Sequence, residues 1–384
     1  MRRIAHGLAR YIAGAVCVAL ILATVGLVVA AHWPRADGDL ANGLLTATTT
    51  TVAPTASSTG VFPDGAPSTT AASSTTSLPT TTTALSTTTT TPPPSTVAPV
   101  STATTQATAP TFGFDVDLAM NHIKALAKDI GARKSGTAAE DAAVGYAAEY
   151  LESLGYSVET PAVPLPDGSM SHNVQAVKAG ASASVIMLGA HIDSKAPAPG
   201  GNDNASGSAV VLELAHYLRN VDTTATIEFV LFGAEEMVDS NADHHHYGSR
   251  QFVQSMTTEE RSALVGMVSV DMVAYGSTFT IRNMKRGPQR LTDMLLAYSS
   301  TYGFGAKFLK DTGTYGWSDH EPFELAGYPV AWVEWRSDPD YHTAADTYEH
   351  ARSTLVKHTG EMLLGFLLGL TPADLDSLAS ARTP

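Results

Sequence analysis

The sequence predicts an α/β fold, a three-layer sandwich in which a mostly parallel mixed central sheet is flanked by helices. Two observations lead to this prediction. Short apolar runs of strand length recur along the chain, such as VIMLGA at 185–190, and longer amphipathic segments of helix length lie between them. Uninterrupted apolar runs are typical of strands that helices cover on both faces. The pattern extends over about 260 residues, which suffices for one domain with a substantial core.

The individual elements alternate along the chain. The first predicted helix runs from Ala139 to Leu154 and stops at Gly155, a residue that favours helix ends. Further helices are expected at 206–219, 249–256, 288–302 and 351–370. Core strands are expected at Val185–Ala190, Ile227–Phe232, Gly266–Met272 and Pro329–Trp335, with an edge strand at Phe279–Arg282.

A different composition precedes this domain. Residues 1–10 carry three arginines, and Tyr11–Ala31 then run without a charge, which is long enough to cross a bilayer as a helix. A signal anchor and a cleaved signal peptide both fit residues 1–31. We favour the anchor because the apolar run is long for a signal peptide. Either interpretation places the rest of the chain outside the cytoplasm. A cell-membrane anchor and secretion after cleavage therefore both stay open.

Residues 32–111 form a stalk rich in Thr, Ser, Pro and Ala, which cannot bury enough apolar surface to fold and is expected to be disordered. The globular domain is assigned to 112–372 and a C-terminal tail to 373–384. The formal net charge is −14, with no basic cluster beyond the N-terminus, so the composition argues against nucleic-acid binding. Cys17 is the only cysteine and lies in the apolar segment, which favours a bacterial extracytoplasmic protein without disulfides. We expect the protein to be monomeric.

Polar side chains follow the predicted core strands at the points where these strands end. Ligands of open α/β sheets bind at the carboxyl ends of the strands, so these side chains are candidates for one site. Strand alternation places residues 191 and 193 on the same side of the chain. The candidates are two histidines, several carboxylates and one tyrosine: His191, Asp193, Asp203, Glu235, Glu236, Asp271, Tyr341 and His342.

Each candidate has an ordinary structural explanation when it is taken alone. Asp203 could cap the helix that follows it, and the pair at 235–236 could be a solvated surface. Together, however, carboxylates at close quarters repel one another unless a positive charge lies among them. Imidazole and carboxylate ligands suit zinc, and three protein ligands leave a position for water. The pattern therefore predicts a zinc site, and one carboxylate in a Gly-rich loop could bridge two ions.

The motifs HID, GGNDNASG, GAEE, VDM and DYHTAADT resemble, in order and approximate spacing, those of the M28 family of co-catalytic zinc peptidases. The resemblance covers roughly residues 115–370. It implies that His191 and Asp271 bind one zinc, that Glu236 and His342 bind the other, and that Asp203 bridges them. It further implies a strained or cis peptide bond after Asp203.

The same resemblance implies the remaining roles. Glu235 would be the general base, Asp193 would orient the His191 ring, and Tyr341 would donate a hydrogen bond to the developing oxyanion. A hydroxide between two zinc ions would attack the peptide bond. A ring of carboxylates can also hold a free ammonium group. The expected function is therefore a metallo-aminopeptidase that acts on peptide or protein N-termini.

Some features leave alternatives open. Trp317 stands where some members of the family carry a substrate-binding arginine, and it could be pocket wall or packing. His244, His245 and His246 suggest a metal tract, although we expect a solvated loop near the pocket.

Other functions also fit parts of the chain. A glutaminyl-peptide cyclotransferase with one zinc is the nearest alternative, and HIDSK and YGSR are faintly similar to such enzymes. A non-catalytic stalked ectodomain is another. The M20 hydrolases fit less well, because they normally have a wider gap after the HxD element and an inserted dimerisation domain.

Overall fold

A computed structural model of the chain describes residues 113–312 and 314–383. The predicted membrane segment, the stalk and Cys17 lie outside these residues. The described part contains an eight-stranded mixed sheet and a separate two-stranded ribbon. The strands of the sheet, in spatial order, are β1 (Val158–Glu159), β4 (Val174–Lys178), β6 (Thr226–Phe232), β5 (Val185–His191), β7 (Leu264–Val270), β10 (Val330–Arg336), β8 (Thr278–Asn283) and β9 (Lys307–Lys310). The ribbon pairs β2 (Ala162–Pro164) with β3 (Met170–His172).

The centre of the sheet is parallel, because β5 pairs in parallel with β6 and β7, and β7 pairs in parallel with β10. The flanking pairs β4–β6 and β8–β10 are antiparallel. The carboxyl ends of the four central strands consequently meet at one edge of the sheet. The register places His191, the last residue of β5, beside Phe232, the last residue of β6.

Helices cover both faces of the sheet, as the continuous apolar runs predict. Alternate residues of β5 enter two different apolar clusters: Ile186 and Leu188 pack in one, and Met187 packs in the other. The predicted α/β architecture with a mixed central sheet is confirmed. The helices are α1 (Val116–Ile123), which continues as a π-helical segment (Lys124–Ile130), α2 (Ala138–Ser153), α3 (Ala205–Leu218), α4 (Tyr247–Ser255), α5 (Thr258–Ala263), α6 (Arg290–Tyr302), α7 (His320–Leu325), α8 (Ser353–Gly369) and α9 (Pro372–Ala381), with a 3-10 turn at Tyr348–His350.

Two parts of the structure differ from the sequence-based expectation. The strand expected at an edge, Phe279–Arg282, is β8, which lies inside the sheet because β9 pairs in parallel along its outer side. The segment assigned to a C-terminal tail contains α9, which begins with a capping box at Thr371 and buries Leu375 and Leu378.

None of the helices between residues 113 and 383 is by itself long and apolar enough for a membrane span. The helices α8 and α9 meet the criteria of length and composition only as a pair, across a bend of 99°.

Candidate metal centre

The predicted site residues come together at the carboxyl edge of the sheet. His191 ends β5, the glutamates at 235 and 236 follow β6, Asp271 directly follows β7, and His342 lies in the loop after β10. The strand predicted at 266–272 ends at Val270, so Asp271 stands just beyond the strand and not within it. These side chains line one cavity of about 370 Å³, together with Asp203 and Tyr341.

Five of the side chains form two groups of three that share Asp203. In the first group, His191 Nε2 lies 3.1 Å from Asp203 Oδ1 and 3.5 Å from Asp271 Oδ1. In the second, His342 Nε2 lies 3.1 Å from Asp203 Oδ2 and 2.9 Å from Glu236 Oε1. Each group offers one ligand atom per residue within the reach of a single ion. Each oxygen of Asp203 therefore faces a different group, as expected of a carboxylate between two cations.

Asp193 lies behind this arrangement and is completely buried. Its Oδ1 is 3.3 Å from His191 Nδ1, the ring nitrogen that points away from the cavity. Its carboxylate also accepts hydrogen bonds from Ser135 Oγ and from the backbone N–H groups of Glu235 and Glu236. Asp193 thus links the ring of His191 to the loop that carries both glutamates.

The Asp203 loop is fixed by Asp346. The Asp346 carboxylate accepts hydrogen bonds from the backbone N–H groups of Asn202 at 2.6 Å and Asp203 at 3.1 Å. Asn204, the next residue, caps α3 through its side chain, which accepts a hydrogen bond from the Gly207 N–H. The Asp203–Asn204 peptide bond is cis.

Arg133 supports the chain between His191 and this loop. Its guanidinium is completely buried and donates to the carbonyl groups of Ile192 at 2.8 Å, Pro199 at 2.5 Å and Gly200 at 3.3 Å. It also donates to two carbonyls in and just after the π-helical segment. Because backbone carbonyls accept all five bonds, Arg133 shapes the loop without neutralising any site carboxylate through a direct bond.

Glu235 lies beside the two groups and not inside either. Its Oε2 is 3.9 Å from His191 Nε2, and its Oε1 is 3.1 Å from His246 Nε2. Burial raises the pKa of Glu235 to about 8, against the positive charge of the neighbouring histidines. Tyr341 is half-exposed at the mouth of the cavity, and its ring stacks on the His342 ring at 3.6 Å.

Neighbouring groups of opposite charge shift the pKa values of His342 and Asp203. Burial lowers the pKa of His342, but hydrogen bonds to Asp203 and Glu236 outweigh that effect and raise it to about 10. The pKa of Asp203 is lowered despite burial, because histidines face both of its oxygens. A cluster of carboxylates therefore attracts positive charge to this edge of the sheet.

The residues of the site fit a cationic metal. Asp271 Oδ1 is buried, faces His191, and has no hydrogen-bond partner among the residues that the structure describes. A buried carboxylate oxygen in this condition is costly unless a cation or a donor meets it. Imidazole nitrogen and carboxylate oxygen are ligands that zinc takes.

The histidine tract lies in a loop near the pocket, as predicted, but two of its three histidines are buried and not solvated. His246 is buried between Glu235 and Glu321, with its Nδ1 2.8 Å from Glu321 Oε2, and His245 is also buried. His244 lies at the partly exposed side of the loop and contacts Asp239. No sequence pattern links this tract to Glu321, which lies 75 residues further along the chain.

Trp317 is 55% exposed and lies between two cavities, since it also lines a second one of about 530 Å³. Its Nε1–H donates to the carbonyl of Thr312 at 2.8 Å, which holds the indole at the cavity rim. Met237 and Tyr315 line the second cavity as well. Trp317 therefore forms pocket wall, one of the two possibilities that the sequence left open.

The sequence of the chain matches a known protein family. The profile of Peptidase family M28 matches residues 173–367. Over 231 residues the chain is 29% identical to the probable lipoprotein aminopeptidase LpqL of Mycobacterium tuberculosis, which covers 52% of this chain and 45% of that protein. The chain spans about half the length of the curated relatives it matches.

Solved structures share the fold. A zinc aminopeptidase from Bacillus subtilis superposes with a TM-score of 0.59 at 18% identity, covering 67% of this chain and 95% of that one. A glutaminyl cyclase from Fimbriiglobus ruber gives a TM-score of 0.60 at 23% identity, covering 68% and 97%. At these identities the likeness establishes the α/β fold alone.

Proposed function

The chain belongs to peptidase family M28, and on this premise we propose that it is an extracytoplasmic aminopeptidase with two zinc ions. The observation that carries the proposal is the pair of ligand groups that share Asp203. A site for one ion would need only three of these five side chains. The two groups, with one Asp203 oxygen facing the histidine of each group, supply three ligand atoms for each of two ions.

His191 and Asp271 would hold one zinc ion, Glu236 and His342 would hold the other, and Asp203 would contact both. Asp193 would hold His191 in the ring orientation that turns Nε2 to the cavity, since it lies 3.3 Å from Nδ1. Zinc, when bound, lowers the pKa of water and polarises a carbonyl group.

The chain's own residues supply the proton transfers. Glu235 would accept the proton of the attacking water and deliver it to the leaving amine, because its carboxylate lies beside the two ligand groups and belongs to neither. Tyr341 would donate a hydrogen bond to the oxygen that becomes negative, since it lines the same cavity as the ligands. The half-exposed position of Tyr341 leaves its side chain accessible from the mouth of the cavity.

The acidic rim favours substrates with a free N-terminus. Six carboxylates line the cavity, three of them in the ligand groups, and a substrate ammonium is a cation that the remaining three can bind. A peptide held in this way presents its first peptide bond to Glu235. We therefore propose exopeptidase action on peptide or protein N-termini.

The placement outside the cytoplasm is argued from the N-terminal sequence and from a relative. Residues 11–31 are apolar and follow three arginines, and LpqL is named a lipoprotein aminopeptidase. We propose that the chain is membrane-anchored or secreted, that it is monomeric, and that residues 32–111 separate the catalytic domain from the membrane.

Metal analysis and a substrate screen test the function together. Native mass spectrometry of the zinc-saturated full-length protein should show two zinc ions, and aminoacyl substrates should be hydrolysed while N-blocked analogues are not. One zinc at saturation, with cyclisation of N-terminal glutaminyl substrates, would replace the proposal by the cyclotransferase. Bound zinc without turnover of either substrate class would leave a binding ectodomain.

A further inference from the structure

A buried histidine joins the proposed base to a second carboxylate. His246 Nε2 lies 3.1 Å from Glu235 Oε1, and His246 Nδ1 lies 2.8 Å from Glu321 Oε2. The exposed fractions are 8% for Glu235, 2% for His246 and 3% for Glu321. Both ring nitrogens of His246 therefore face carboxylate oxygens, and a doubly protonated ring can donate to both of them.

Two helices fix this row of side chains. His246 stands at the N-terminal boundary of α4, with a φ of 55°, and Glu321 lies in α7. Glu321 Oε2 is also 3.6 Å from Arg250 Nη2, one turn further along α4. The backbone N–H of His246 donates to the Glu235 carbonyl at 2.8 Å, so the two residues are tied by main chain as well as side chain.

We propose that His246 is the positioning residue of the general base: it holds Glu235 Oε1, so that Oε2 is the oxygen available at the cavity, and Glu321 orients the ring. The inference rests on the proposed function, because it assigns to Glu235 the role of base. A free glutamate side chain rotates among several rotamers, and a donor on one oxygen restricts it to one of them.

A separate metal site at this place is the competing explanation, since His245, His246 and Glu321 could together hold an ion. The positive charge of Arg250 argues against it. Arg250 Nη2 lies 3.1 Å from His245 Nε2 and 3.6 Å from Glu321 Oε2, so a guanidinium already stands among these donor atoms. A second cation there would be repelled. The row consequently acts on Glu235 and does not bind metal.

The test compares two amides at position 246 in the zinc-loaded full-length protein. In His246→Gln the amide nitrogen can reach the position of Nε2 and still donate to Glu235. In His246→Asn the shorter amide corresponds to Nδ1 and reaches only Glu321. Asparagine tolerates the left-handed backbone of this position well, so loss of function in that variant is not a backbone effect. His244→Gln, two residues away and without contact to Glu235, is the matched control.

For His246→Asn we expect kcat to fall by about 10- to 100-fold, the cost of a misplaced catalytic group. KM and zinc content should stay near those of the wild type, because neither ligand group is altered. His246→Gln should recover most of the lost kcat, and His244→Gln should match the wild type. In a Glu235→Gln background, His246→Asn should cause little further loss, because residues that act through one group are not additive.

Three results would overturn the inference. Unchanged kcat in His246→Asn would show that Glu235 needs no such support. An equal loss of kcat in the Asn and Gln variants, with loss of zinc or of melting temperature, would make His246 structural only. A full additional loss in the Glu235→Gln background would show that His246 acts elsewhere. A zinc-loaded wild type without turnover would instead refute the proposed function and this inference with it.

Discussion

Replacing Glu235 by glutamine separates the proposed base from the proposed ligands. The amide has the size of the carboxylate, and its oxygen can still accept from His246 Nε2, which now lies 3.1 Å from Oε1. Packing should therefore be preserved while the ability to accept a proton is lost. Loss of a general base costs about 10²- to 10⁴-fold in rate, which is about 3–5 kcal/mol in transition-state free energy.

The structure indicates that metal binding should survive this change. Glu235 Oε2 is 3.9 Å from His191 Nε2, whereas Glu236 Oε1 is 2.9 Å from His342 Nε2 within a ligand group. We expect Glu235→Gln to keep two zinc ions and to lose at least about 100-fold in kcat. The matched variant, Glu236→Gln, should lose affinity for one ion.

The assay pairs kcat at saturating zinc with metal content by native mass spectrometry. Loss of zinc in Glu235→Gln, or near-normal turnover at full occupancy, would refute the assignment of roles. In the first case Glu235 would be the zinc ligand and Glu236 the base. In the second the base must be sought elsewhere in the cavity.

Three further predictions concern stability and location. Arg133→Met leaves five buried or partly buried carbonyls without their donor but also removes a buried charge. The balance should destabilise the fold by about 3–5 kcal/mol in urea titrations, whereas Arg290→Met on the surface should change stability by less than about 0.5 kcal/mol. Burial lowers the pKa of His122 to about 4 in the folded protein. As the pH falls, this histidine is therefore protonated in the unfolded chain before it is protonated in the folded one, and the free energy of unfolding should drop by up to about 3 kcal/mol between about pH 6.5 and pH 4. In His122→Phe the free energy of unfolding should depend less on pH over this range. Protease added to intact cells should release the domain from an anchor at Tyr11–Ala31, and a fully protected domain would contradict the proposed location.

The sequence predicted the central strands well, because their apolar runs are continuous and longer than any turn. It missed the outer strands β1, β4 and β9, which are short or partly exposed and carry no such run. The position of β8 shows the consequence. The partly polar composition of β8 predicts an edge strand. It is an internal strand because β9, which the sequence pattern did not predict, pairs with it.

The convergence of the candidate site residues was also predictable from the sequence. Histidine and carboxylate at the ends of parallel strands must meet at one edge, since parallel pairing brings all carboxyl ends to the same side. This rule alone predicts that His191 of the HID motif and Asp271 of the VDM motif lie close together. The resemblance to family M28 added the roles, and the family membership is confirmed.

Local pattern therefore determined the fold class, the family and the candidate ligands, because each depends on residue type and on position relative to a strand end. Only the tertiary structure decided the supporting contacts. Asp346 reaches the Asp203 loop from 143 residues away, and Glu321 reaches His246 from 75 residues away. Such contacts are made by loops and helix ends from distant parts of the chain. These segments have no regular sequence pattern from which the contacting side chains could be predicted. A histidine in a polar loop consequently looked solvated in the sequence, and packing of α4 against α7 buried it between two carboxylates.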